Sequence, residues 1–197
     1  MIRTIDLLRQ WMLHPPLSSP PVTTLIRLMV GAVFLWEAIM KFVFPDTLGP
    51  GRFSLIGLPA PDVMSPFDAA FEAGCGILLM LGLLTRLAAI PMIIDMVVAI
   101  LSTKIPMLLG TSPLPLPPVP PVSGFWAVLH EVRSEYAQLL GTIYLLIAGP
   151  GRQSLDALLA HGRDANAAAD PDRSSSKVRE ETSVIWRFTN WLVAVPT

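Results

Sequence analysis

Apolar residues fill four stretches of the chain, about 22–44, 66–84, 87–109 and 125–148, and Pro/Gly-rich or polar segments separate them. As helices, stretches of this length cross a hydrocarbon layer of about 30 Å. The second of them, continued to Arg86, organises the rest. Its Glu72, Gly76, Leu79, Leu83 and Arg86 recur at helical spacing and share one face. Glycine on such a face lets a second helix come close, because lipid supplies no hydrophobic drive between helices. A carboxylate on that face is costly against acyl chains, so Glu72 is expected to point inward.

Read in order, residues 1–21 combine a short amphipathic helix for the membrane interface with a linker rich in proline. The first span, Val22 to Phe44, carries Arg27, Glu37 and Lys41. Glu37 precedes Lys41 by one helical turn, the favourable order for an ion pair, and Arg27 is placed at the opposite interface. Residues 45–65 are expected to fold back over the mouth of the helices. Asp68 suits the positive end of the second span. Thr85-Arg86 predicts a tight turn into the third span, where Pro91 predicts a kink and Asp95 lies near mid-membrane. Alternating prolines in 110–124 predict a stiff polyproline spacer.

The fourth span, Phe125 to Ala148, is polar in its first half, with His130, Glu131, Arg133, Glu135, Tyr136 and Gln138. Glu131, Glu135, Gln138 and Thr142 share a face, which predicts an inward polar stripe. Gly149-Pro-Gly ends the span and Arg152–Asp156 begins a short helix. Residues 158–197 form a tail, largely disordered from about His161. Within it, Trp186 and Trp191 mark a short apolar segment suited to the interface.

Composition narrows the function classes. Of 197 residues, 52% are hydrophobic and 15% charged, with a mean hydropathy of +0.57, values that fit a multi-pass membrane protein and not a soluble domain. A net charge of −1 supplies no basic field for nucleic acid. Cys75 is the single cysteine, which excludes an intramolecular disulfide and a dithiol redox pair. The three histidines lie in separate segments, so no histidine metal centre or bis-histidine haem is expected. No signal peptide is expected, because the first residues run into His-Pro-Pro. By the positive-inside rule, the excess of arginine beside the termini and the Thr85-Arg86 turn predicts cytoplasmic termini.

That topology gathers charge in the outer half. Glu37, Lys41, Glu72, His130, Arg133 and Glu135 form the candidate ligand-binding group, because carboxylates beside cations can hold a polar headgroup and exchange protons. Interhelical salt bridges are the structural alternative for the same residues. Asp95, after Pro91, is the candidate proton relay. Arg27, Arg86 and Arg152 are candidate interfacial or partner contacts. Trp36, Trp126 and Tyr136 read as belt aromatics, and Cys75 as packing.

Arg27-x3-Gly31, Lys41, Glu72-x3-Gly76-x5-Gly82-x2-Thr85-Arg86-Leu-Ala-Ala, Asp95 and Gly149-Pro-Gly-Arg-Gln-Ser-Leu-Asp156 occur in this order on the four apolar stretches. Over about residues 22–157 the arrangement resembles the DoxX family. The resemblance implies an all-α integral membrane protein, a bundle of four transmembrane helices, associated with redox systems. One branch, DoxD-like, is similar to the membrane subunit of a thiosulfate:quinone oxidoreductase. The leading expectation is therefore a redox-associated membrane subunit, at most part of a quinone-linked oxidoreductase, with a quinone-type ligand and a redox partner. No cofactor motif is evident in the chain. A small proton-coupled transporter, working through Asp95 and Glu72 and helped by homo-oligomerisation, is the second expectation. A membrane scaffold for a partner protein is the third.

Overall fold

The computed structural model describes residues 19–168. The amphipathic helix expected at residues 1–13 and the segment with Trp186 and Trp191 lie outside the described residues. The chain divides into two compact units, residues 1–157 and 158–197. Of the second, residues 158–168 are described; they are helical, where the sequence predicts disorder from about His161.

Helices α1 (Thr23–Val43), α2 (Pro50–Leu55), α3 (Pro61–Leu81) and α4 (Thr85–Ala99) follow one another, and α4 runs through a π-helical turn (Ile100–Lys104) into α5 (Ile105–Leu108). Then come α6 (Gly124–Glu131), α7 (Arg133–Ala148) and α8 (Leu155–Ala168). No strand occurs among the described residues. Among the described residues, two helices are long and apolar enough to cross a membrane: α3, and the continuous run Thr85–Leu108. The expected fourth span is divided. Val132, at ψ −1°, is a turn residue between α6 and α7 and leaves α7 with 16 residues.

The chain's polarity is inverted relative to a soluble protein. Leu25, Trp36 and Phe42 of α1, Val63 and Phe67 of α3, Ile94 of α4, Leu101 of the π turn and Ile147 of α7 are all exposed. Thr23, Arg27, Glu72, Arg86, Lys104, Gln138 and Thr142 are buried. An apolar exterior around a polar interior suits hydrocarbon surroundings, where backbone and side-chain polar groups must be satisfied inside the protein.

α1 packs on α3, α3 on α4, α4 on α7, and α7 on α1. Val30, Phe34, Leu79, Ala89, Met92 and Leu145 are the centre of the apolar core. The α1–α3 contact rests on two glycines. A Cβ on Gly31 would lie 2.6 Å from the Gly76 carbonyl oxygen, and one on Gly76 would lie 2.8 Å from that of Gly31. Only hydrogen allows these backbones to meet, as the small-residue rule for membrane helices requires.

At the opposite end from α2, the turn between α3 and α4 lies slightly earlier than predicted. Gly82 and Leu84 take left-handed conformations, and Thr85 and Arg86 already belong to α4. Arg27 lies under this turn, buried to 2% exposure, and does not reach out as an interfacial anchor. Its Nη1 donates to Pro150 O at 2.6 Å and its Nη2 to Gln153 O at 2.8 Å. Asp156 accepts from the amides of Leu84 and Thr85 at 3.0 and 3.4 Å, which satisfies orphan donors at the start of α4. Arg86 is buried too and donates to Ile147 O at 2.8 Å. The Gly-Pro-Gly-Arg-Gln-Ser-Leu-Asp run is thus a clasp on which α1, α3, α4 and α7 converge.

Candidate functional site

The other end of the helices holds a partly open cavity of about 380 Å³. Helix α1 brings Phe34, Glu37 and Lys41 to it; α3 brings Asp68 and Glu72; α4 brings Asp95 and Met96. The loop after α1 covers it with Leu48, Arg52, Phe53, Ile56 and Leu58. The predicted fold-back of residues 45–65 therefore takes the form of the short helix α2 laid against the cavity.

Four charged groups converge. Lys41 Nζ donates to Asp68 Oδ2 at 2.5 Å and to Glu72 Oε2 at 2.5 Å. Carboxylate oxygens of Asp68, Glu72 and Asp95 lie within 4.8 Å of one another. Lys41 also stands 5.8 Å from the centre of the Phe53 ring, so α2 caps the cation with an aromatic face. Asp95 Oδ2 is buried and has no hydrogen-bond partner among the described residues. Three carboxylates facing one ammonium leave the group formally acidic. Three oxygens so close together resemble a site for a hard cation, but the Lys41 ammonium already bridges two of them.

Local sequence explains this convergence. Ser65, Ala69, Glu72, Cys75, Gly76 and Leu79 form the buried stripe of α3, with Asp68 at its edge. Small Ala69 and Gly76 bring α1 near enough for the Lys41 stem to reach across. The wall opposite is more polar than the rest of the interior. Lys104 pairs with Glu135 at 2.8 Å, and Gln138 donates to Val30 O at 3.0 Å, closing a hydrogen bond between α7 and α1.

Of the residues singled out from sequence, Glu37, Lys41, Glu72, Glu135 and Asp95 line this cavity. Glu37 is exposed and is not the partner of Lys41. Their one-turn spacing brings them to one side of α1, but two acidic side chains on α3 are nearer. His130 and Arg133 are exposed and do not line the cavity; the inward stripe runs through Glu131, Glu135 and Gln138, and His130 and Arg133 lie off it. Arg152 is exposed in the clasp, far from the cavity, as are Arg27 and Arg86. Trp36, Trp126 and Tyr136 face outward and Cys75 packs inside.

Asp68, Arg52, Lys104, Glu131 and Gln138 also line the cavity, yet the sequence pattern does not mark them as ligand residues. Asp68 suits an N-terminal charge on sequence grounds, but α3 begins at Pro61, so Asp68 is two turns inside it and Asp62 occupies the first turn. The signal that points to Asp68 is its spacing of one turn before Glu72.

The DoxX family model matches residues 22–105, a range that includes Lys41, Asp68, Glu72 and Asp95. An uncharacterized membrane protein of Mycobacterium tuberculosis is 50% identical over 143 residues, covering 73% of this chain and 84% of that protein. No solved structure matches the chain.

Proposed function

The chain belongs to the DoxX family of membrane proteins, and on that premise we propose that it is a redox-associated subunit of the bacterial inner membrane with a quinone-type ligand site. α1, α3, α4–α5 and α6–α7 are the four spans of the bundle, and both termini are cytoplasmic. The observation that carries the reading is the cavity itself: an acid–lysine cluster beside the apolar walls of Phe34, Phe53, Ile56, Leu58 and Met96. A quinone headgroup is flat, apolar on its faces and carries two acceptor oxygens. Lys41 and Lys104 are donors suited to those oxygens, and Glu72 and Asp95 are groups that can hold or pass a proton. The group supplies two-electron, two-proton redox chemistry when bound. Electrons come from a partner protein, because the chain's single cysteine and scattered histidines offer no redox centre.

The test is mass spectrometry of the organic extract of protein purified in mild detergent, followed by titration with a short-chain quinone. The reading expects retained quinone, lost in Glu72→Gln and Lys41→Met. Quinone binding that is absent in the parent, or equal in all three proteins, overturns it.

A second reading, proton-coupled transport, is favoured by the unpartnered Asp95 Oδ2 next to two further carboxylates. Proton flux in proteoliposomes, abolished by Asp95→Asn, supports it; flux no greater than in empty vesicles removes it.

A further inference from the structure

A second cavity of about 320 Å³ lies on the loop side of the first. Asp46 and Thr47 line it from the segment after α1, Met107 from α5, and Ser112 and Leu114 from the Pro-rich loop. Arg52, Thr103, Lys104 and Glu131 line both cavities. The two spaces therefore share one wall, made of three charged side chains and a hydroxyl. Such a wall between two cavities is costly to keep dry, since its charges lose solvation from both sides.

The π turn is what brings Lys104 to that wall. At about 100° per residue, nine residues of unbroken α-helix would point Lys104 away from Asp95, toward the lipid. A π turn carries one extra residue and rotates the helix beyond it back by about 100°. Lys104 is accordingly buried and paired with Glu135. Met107, a turn later, is buried as well, which the same rotation explains.

We propose that the loop-side cavity is the aqueous entrance to the Glu72 cavity, with Arg52, Thr103, Lys104 and Glu131 as its constriction. Water, protons and small hydrophilic solutes pass there, while an apolar ligand reaches the site from the membrane. The inference rests on reading the first cavity as a ligand site, and it adds the route by which the carboxylates exchange protons with water.

The experiment uses Ala99→Cys, which lines only the inner cavity among the two, in a Cys75→Ser background. The probe is 2-sulfonatoethyl methanethiosulfonate, which needs water to reach a thiol. Labelling is expected in the parent, and Ser112→Trp, which fills the loop-side cavity from the exposed loop, should slow it by about tenfold or more. Thr103→Trp, at the constriction, should do the same. Ser112→Trp protein that elutes like the parent and labels at an unchanged rate overturns the proposal, whatever Thr103→Trp does. The labelling reads water access and not quinone binding, so the entrance and the ligand reading fail separately.

Discussion

Lys41 and Glu72, separated by 31 positions in the chain, meet at 2.5 Å between α1 and α3. Glu72 is only 3% exposed there, and Lys41 is the one cation within ion-pair distance of it among the described residues. Removing a single partner leaves an uncompensated charge in a low-dielectric interior, a loss of about 3–5 kcal/mol. Lys41→Met should therefore lower the melting temperature in detergent more than Lys41→Met combined with Asp68→Asn and Glu72→Gln. A triple variant less stable than the single one would show that the charges are not coupled in this way.

The glycine contact predicts a contrast within α3. Gly76→Val places side-chain atoms against the Gly31 carbonyl, and overpacking of this kind costs about 1–3 kcal/mol. Gly74, where an added Cβ meets nothing within 4 Å, should accept alanine without loss, and helix propensity favours it by up to about 1 kcal/mol. Thermal melts of the two variants make the comparison.

The clasp gives a third expectation. Asp156→Ala removes the acceptor for the Leu84 and Thr85 amides and should cost about 0.5–2 kcal/mol, as the loss of a helix cap does. Arg152→Ala, four positions earlier and exposed, should be neutral. Equal losses would mean that the clasp acts through the loop as a whole and not through its hydrogen bonds.

The π turn gives the fourth. Deleting Leu101, which is 58% exposed, should convert the turn to ordinary α-helix while Lys104 keeps its bearing toward Glu135. The deletion variant should remain folded and should label at Ala99→Cys as the parent does. Deleting Pro106 keeps the Ile105 N–H that closes the π turn on Ile100 O, turns Met107 away from the core, and should lower the melting temperature.

Much of this molecule was legible in the residues alone. Runs of apolar side chains place helices because the backbone must close its hydrogen bonds locally wherever no water is available. Gly76 and Glu72 on one helical face declared a contact surface for the same reason, and the order of motifs along four apolar stretches pointed to the DoxX family. Periodicity is a local property, and these conclusions needed nothing more. The partner of Lys41 was a different kind of question. One-turn spacing offered Glu37, but the tertiary structure chose Asp68 and Glu72, since a long flexible ammonium goes to whichever carboxylates the packing of α1 on α3 carries nearest. His130 and Arg133 were left outside the cavity because the packed face of their helices is the one that carries Glu131, Glu135 and Gln138, and Lys104 was turned inward by one extra residue in a π turn. Which charges meet depends on rotations and approaches of whole helices, set by contacts between residues far apart in sequence, and that only the folded chain decides.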